Sequence, residues 1–195
     1  MVHRYILGDI GFDQDRRHRM FTFPLLIQIH VIAAVVAIVT GMVVFSLPKG
    51  DRRHRFWACV YVTAMMVTTG IVIFVPATVL EFGDSGWGFF HLFILVGGVS
   101  AFVGIFALFK WRRTRDPAWL RNHQIRFPFS YAGLLMAGVS QLSTNPRFGL
   151  VNTLTPAQFW LSFIATNLAI LAVAMFFVSR YLAKGDPRRR YAMKI

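Results

Sequence analysis

Cysteine and charge are both scarce in this sequence. Cysteine occurs once, at Cys59 inside an apolar run, which excludes an intramolecular disulfide and any cysteine-based zinc motif. Charged residues make up only 15% of the chain, whereas a soluble domain carries about 25%. Water is therefore not its main solvent. Residues 1–20 mix Arg, Asp and His without an apolar core, so they do not read as a cleavable signal peptide; they read as a polar N-terminal arm.

What is plentiful is apolar surface. The 195 residues are 56% hydrophobic, and Phe alone occurs 20 times. The formal charge of +13 would suit nucleic acid if it lay on one face. It lies instead in short segments between apolar runs, which marks membrane topology and excludes nucleic acid as the partner. Membrane lipid is the expected surrounding.

Five uncharged runs stand out: Phe21–Leu47, Phe56–Leu80, Trp87–Phe109, Phe127–Asn145 and Ala157–Ser179. Each reaches the roughly 20 residues a helix needs to cross the hydrocarbon core, the fourth only just. Short connections predict an all-α integral membrane protein, an up-and-down bundle of five transmembrane helices with a four-helix core. The domain plan is an arm at 1–20, a transmembrane domain at 21–182 and a basic tail at 183–195. Lys and Arg number 4, 0, 6 and 1 in the successive connections, and 6 from Arg180 onward. This alternation places the basic loops and C-terminus in the cytoplasm and the N-terminus outside, although the arm carries four Arg of its own.

Four histidines fall in or beside the spans: His30 in the first, His54 opening the second, His91 in the third and His123 just before the fourth. With the orientation above, His30 and His91 lie towards the outer surface, and His54 and His123 towards the cytoplasm. Alternate helices are diagonal in a square bundle, with axes roughly 13 Å apart. Two imidazoles reaching across that gap do not touch, but can hold one metal centre between them. A haem suits the space, its ring supplying four nitrogens and the histidines the axial ligands; zinc, which wants three or four protein ligands, suits it poorly. The expected cofactor is therefore one or two haem b groups, with His30, His91, His54 and His123 as metal ligands. Arg55 and Arg126 flank the inner pair as partners for haem propionates. Gly41, Gly98 and Ser130 follow the histidines on the same helical faces, where they give either room for a macrocycle or close helix packing. Gln28, Gln141 and Asn167 are expected to hydrogen-bond between helices, Pro76 to kink the second span, and Met65 and Met66 to pack. Cys59 lies about 140° round the helix from His54 and should not share its site.

The stretches HVIAAVVAIVTGMVVFSLPKGDRRHRFWACVYVTAMMVTT (30–69), FFHLFILVGGVS (89–100) and HQIRFPFSYAGLLMAGVS (123–140) resemble an uncharacterised family of predicted bacterial membrane proteins. Its pattern has a His-led first helix, a Pro-Lys-Gly…His-Arg loop, a His-led third helix and a fourth with a His…Tyr…Gly…Ala-Gly run. The sequence departs from it at Phe56-Trp57-Ala58, where the family has Gly-Arg. That resemblance implies a fold, a histidine set and a bacterial inner (plasma) membrane, but no reaction. The architecture is also similar to the di-haem cytochrome b-561 superfamily, which passes electrons across membranes. By that analogy His30 and His91 would ligate an outer haem, and His54 and His123 an inner one.

One distance strains a two-haem arrangement. From His30 to Leu47 is about 25 Å of helix, and His54 lies beyond the turn, so a single haem at His30 and His91 is a live variant. The leading expectation is a b-type cytochrome, a transmembrane oxidoreductase or carrier using a quinone or another redox partner. The alternatives are a small-molecule or proton transporter using the histidines as titratable relays, and a structural membrane subunit.

Overall fold

A computed structural model describes residues 24–75, 82, 85–144 and 153–183 of the chain. The arm and most of the basic tail, with Pro76 and Arg147, lie outside the described residues. Five helices follow in order: α1 Pro24–Ser46, α2 Arg52–Val72, α3 Phe89–Thr114, α4 Pro117–Thr144 and α5 Pro156–Ala183. Among the described residues there is no strand. The protein is an all-helical membrane bundle, because only helices or closed barrels satisfy every backbone group inside lipid.

Local chemistry sets the helix starts. The Asp51 carboxylate accepts from the His54 backbone N–H at 2.6 Å and so caps α2. Asp116 Oδ1 accepts from the Ala118 N–H at 2.9 Å, and Pro117 takes the first helical position, where its missing N–H costs nothing. Thr155 and Gln158 close a reciprocal capping box at α5: the Thr155 N–H donates to Gln158 Oε1 at 3.0 Å, and the Gln158 N–H to Thr155 Oγ1 at 3.4 Å. Arg115 turns the chain between α3 and α4 in the left-handed region, at φ 58°, leaving a two-residue hairpin link.

The packing order follows these links. α1 lies against α2 and α3 against α4; α2 meets α3 and α1 meets α4, closing a ring in which α1 faces α3 and α2 faces α4. α5 packs outside the ring on α4. The core holds Ala37, Val44, Tyr61, Met65, Ile94 and Leu134, with Met66 packed against it. The outer faces carry large exposed apolar side chains such as Leu25, Phe74, Phe102 and Leu161. In water each would forgo about 1.5–3 kcal/mol of burial; in lipid they are at home.

Four of the helices, α1, α2, α3 and α5, are long and apolar enough to cross a membrane. α4 has the length, 28 residues, but is more polar, for two reasons. Its first ten residues include Arg121, His123 and Arg126, so the helix starts ten residues before the apolar run at Phe127. It is also the most enclosed helix, touching α1, α3 and α5, and can bury Ser130, Ser140 and Thr144 among protein rather than lipid. At the other extreme, α2 stops at Val72, short of the expected Leu80.

Candidate functional site

The end of the bundle away from the basic loops brings His30 and His91 within electrostatic range of each other, on the opposed helices α1 and α3. Their rings are committed differently. His30 Nδ1 lies 3.2 Å from the Thr68 carbonyl oxygen of α2. Because a carbonyl only accepts, Nδ1 carries the proton, and a neutral ring keeps its lone pair on Nε2. His91 is 5% exposed. Its Nδ1 accepts the Gly88 backbone N–H at 3.1 Å, so the proton sits on Nε2, which donates to the Val75 carbonyl at 2.9 Å. Both ring nitrogens are therefore in use, and the Trp87 ring covers the imidazole at 5.2 Å between centroids.

The end bearing the basic loops places His54 and His123 within electrostatic range on the opposed helices α2 and α4. His123 Nδ1 donates to the Gly104 carbonyl of α3 at 2.9 Å, leaving Nε2 with its lone pair. The Phe127 ring, one turn on, lies 4.7 Å from the imidazole centroid. His54 is the exception among the four: its Nδ1 is buried and has no hydrogen-bond partner. The ring lies within reach of the Val44 carbonyl at the end of α1, an oxygen that also accepts Lys49 Nζ at 2.7 Å. Lys49 also donates to the Phe45 carbonyl at 3.0 Å and sits 5.6 Å from the Phe45 ring centre. Burial of this ammonium pulls its pKa down to about 8 from 10.5. Arg55 and Arg126 are exposed at the rim, where Arg126 Nε donates to Asn122 Oδ1 at 3.2 Å.

Between the two ends lies a polar stripe that the histidine pattern alone did not reveal. Tyr61 and Ser130, 1% and 0% exposed, share a 2.8 Å hydrogen bond from α2 to α4. Tyr131 donates to the Ile38 carbonyl at 3.1 Å. Thr68 Oγ1 and Thr69 Oγ1 are buried without partners. A signal for Tyr61 was present: it follows His54 by seven residues, about 20° round the helix, and so shares its face.

The small residues are spoken for by packing. A Cβ on Gly97 would meet Met65 at 2.8 Å, and one on Gly98 would meet Thr69 at 2.5 Å. Gly41 is covered by the Tyr131 ring, and Gly133 lies against the Phe93 carbonyl and the Gly97 backbone. These contacts are those of close helix approach. Asn167 makes the expected interhelical bond, its Nδ2 donating to Ser140 Oγ at 3.0 Å. Gln28 and Gln141 are exposed instead, because helical phase turns both away from the neighbouring helices. Cys59 lines an open apolar groove of about 430 Å³ between α1 and α2, with Ile29, Ile32, Val36, Val60 and Val67, and no histidine lines it.

Among the described residues, no three His, Cys, Asp or Glu side chains converge as a metal-binding group. No protein-family model, curated protein or solved structure matches the chain.

Proposed function

We propose that the chain is a b-type cytochrome in which His54 and His123 hold one haem between α2 and α4, at the end bearing the basic loops. The observation that carries this reading is the buried, unpartnered Nδ1 of His54, on a ring close enough to His123 for the two to act on each other electrostatically. An orphaned buried nitrogen costs about 1–3 kcal/mol, and a metal taken by Nδ1 itself would offset the cost. His123 already has the arrangement of an axial ligand: Nδ1–H held by a backbone carbonyl fixes the tautomer and leaves Nε2 for a metal. When bound, haem would supply one-electron chemistry.

The chain's own residues do the rest. Gly104 orients His123, and the Asp51 cap fixes the turn that carries His54. Tyr61, Phe127 and Ser130 close the site towards the membrane centre and exclude water. Arg55 and Arg126 stand at the rim, where propionates would meet solvent. With this end in the cytoplasm, electrons would pass to a quinone or a soluble partner on that side. The His30–His91 pair fits a haem less well, since His91 would have to surrender one or both of its hydrogen bonds.

Expression in haem-replete cells should give a pigmented protein with a Soret band and one haem per chain. His54→Ala and His123→Ala should each abolish the band, and His91→Gln should keep it. A colourless wild type overturns the reading. Two haems per chain, one lost in His91→Gln, would overturn the inner-only assignment.

A second reading draws on the polar stripe. Tyr61, Ser130, Thr68 and Thr69 lie between the two histidine pairs, as a titratable relay would require. It predicts pH-dependent flux in liposomes by pigment-free protein, lost in His30→Ala.

A further inference from the structure

The groove between α1 and α2 takes no part in the histidine sites, yet its place on α2 is specific. Its α2 wall is Cys59, Val60, Thr63, Ala64 and Val67, and α1 supplies the other wall. At 100° per residue, Phe56 lies about 10° from the middle of that wall, and Arg52 and Arg53 lie about 50° to either side of it. Arg55 lies about 110° away. The wall therefore runs along one face of α2 to an exposed phenylalanine and ends between two exposed arginines. Depth agrees with direction. The first turn of α2 is about 5 Å long, and the headgroup layer is about 5–7 Å deep on each side of the hydrocarbon core. Cys59 opens the groove about 10 Å along α2 from Arg52, and Val67 lies about 12 Å further on.

Among the described residues, neither Arg52 nor Arg53 has a carboxylate partner. The adjoining acid, Asp51, is turned to the His54 backbone N–H as the helix cap. A phosphate would meet two guanidinium groups there, each able to donate paired hydrogen bonds, at the head of an open apolar channel of about 430 Å³. We propose that the groove seats an acyl chain of one anionic phospholipid whose phosphate is held by Arg52 and Arg53. This goes beyond electron transfer and does not depend on a haem. A second copy of the chain fits the same face less well. A symmetric contact pairs the same patch with itself, so it would bring four arginines together without a counter-charge.

The test titrates the full-length protein in detergent micelles with phosphatidylglycerol, phosphatidylcholine or inorganic phosphate, and counts bound lipid by native mass spectrometry. Wild type should retain one phosphatidylglycerol per chain in preference to phosphatidylcholine, and excess inorganic phosphate should not displace it. Arg52→Gln and Arg53→Gln should each weaken retention about fivefold, and together about twenty-five-fold. Arg112→Gln with Arg113→Gln removes the same charge from the end of α3 and should change little. Thr63→Trp fills the groove from its exposed side and should abolish retention. Phe102→Trp, on the exposed face of α3, should keep it. Equal retention of the two lipids, or equal losses in the α2 and α3 double variants, overturns the proposal. So does displacement by inorganic phosphate, which would make the site one for a free anion. Undiminished retention in Thr63→Trp overturns the groove as the seat of the chain. A lipid-independent dimer that Thr63→Trp breaks would give the face to a second copy instead.

Discussion

Two backbone groups from opposite sides of the α2–α3 connection meet on the His91 ring, the Gly88 N–H and the Val75 carbonyl. Removing the ring strands both in an apolar setting, at about 1–3 kcal/mol each. His91→Phe should therefore lower the thermal midpoint of the solubilised protein by several degrees while leaving any Soret band intact; an unchanged midpoint would contradict this staple role. The sequence made His91 legible as a special residue, since ionisable groups in a span are rare. It could not say which nitrogen is engaged, because both partners are backbone atoms whose position depends on the fold. Lys49 was illegible for a different reason. Among four cations in one loop, topology explains them all equally, and only the folded loop picks out the one that turns inward.

At the scale of the helices, the uncharged runs marked all five elements, because lipid requires length and apolarity of any span. The ends were less readable. α4 begins at Pro117 through an Asp-Pro cap signal that an apolar-run reading passes over, since the next nine residues are rich in Arg, His and Gln. Glycine positions were visible, but their purpose depended on what lies opposite. Gly133 and Gly70 make the contrast measurable. A methyl group on Gly133 would meet the Phe93 carbonyl oxygen at 2.7 Å and Gly97 Cα at 2.9 Å, and backbone cannot yield as a flexible side chain does. A methyl group on Gly70 would meet no other part of the protein within 4 Å beyond its own helix turn. Gly133→Ala should destabilise the bundle clearly, whereas Gly70→Ala should be neutral or stabilising by up to about 1 kcal/mol through helix propensity. Equal effects in thermal unfolding would refute the α3–α4 contact.

Across the whole molecule, the ring order α1–α2–α3–α4 sets the histidines in opposed pairs, one per end, as their spacing along the sequence implied. The same end that holds His54 and His123 carries Arg52, Arg53, Arg112, Arg113 and Arg121, all exposed. The positive-inside rule turns that asymmetry into a testable orientation: a reporter inserted at Gly50 and one fused after Ile195 are expected to register in the cytoplasm. A reporter at Ser85 should register outside, and the reverse pattern would overturn the orientation. Which ring nitrogens of the histidine pairs are engaged and which are left without a partner was not readable from spacing, because that depends on how backbone groups meet the rings in the fold.

The polar character of α4 has a bearing on how the chain is made. A segment with Ser130, Ser140 and Thr144 in its apolar half and two arginines in its first ten residues gains little by leaving the insertion machinery alone. Its link to α3 is two residues long, and α3 is among the more apolar spans. The two would enter the bilayer together as a finished hairpin, with α3 paying the partitioning cost for both. α5, arriving last and apolar enough to wait by itself, would then seal α4's remaining side through the Asn167–Ser140 bond.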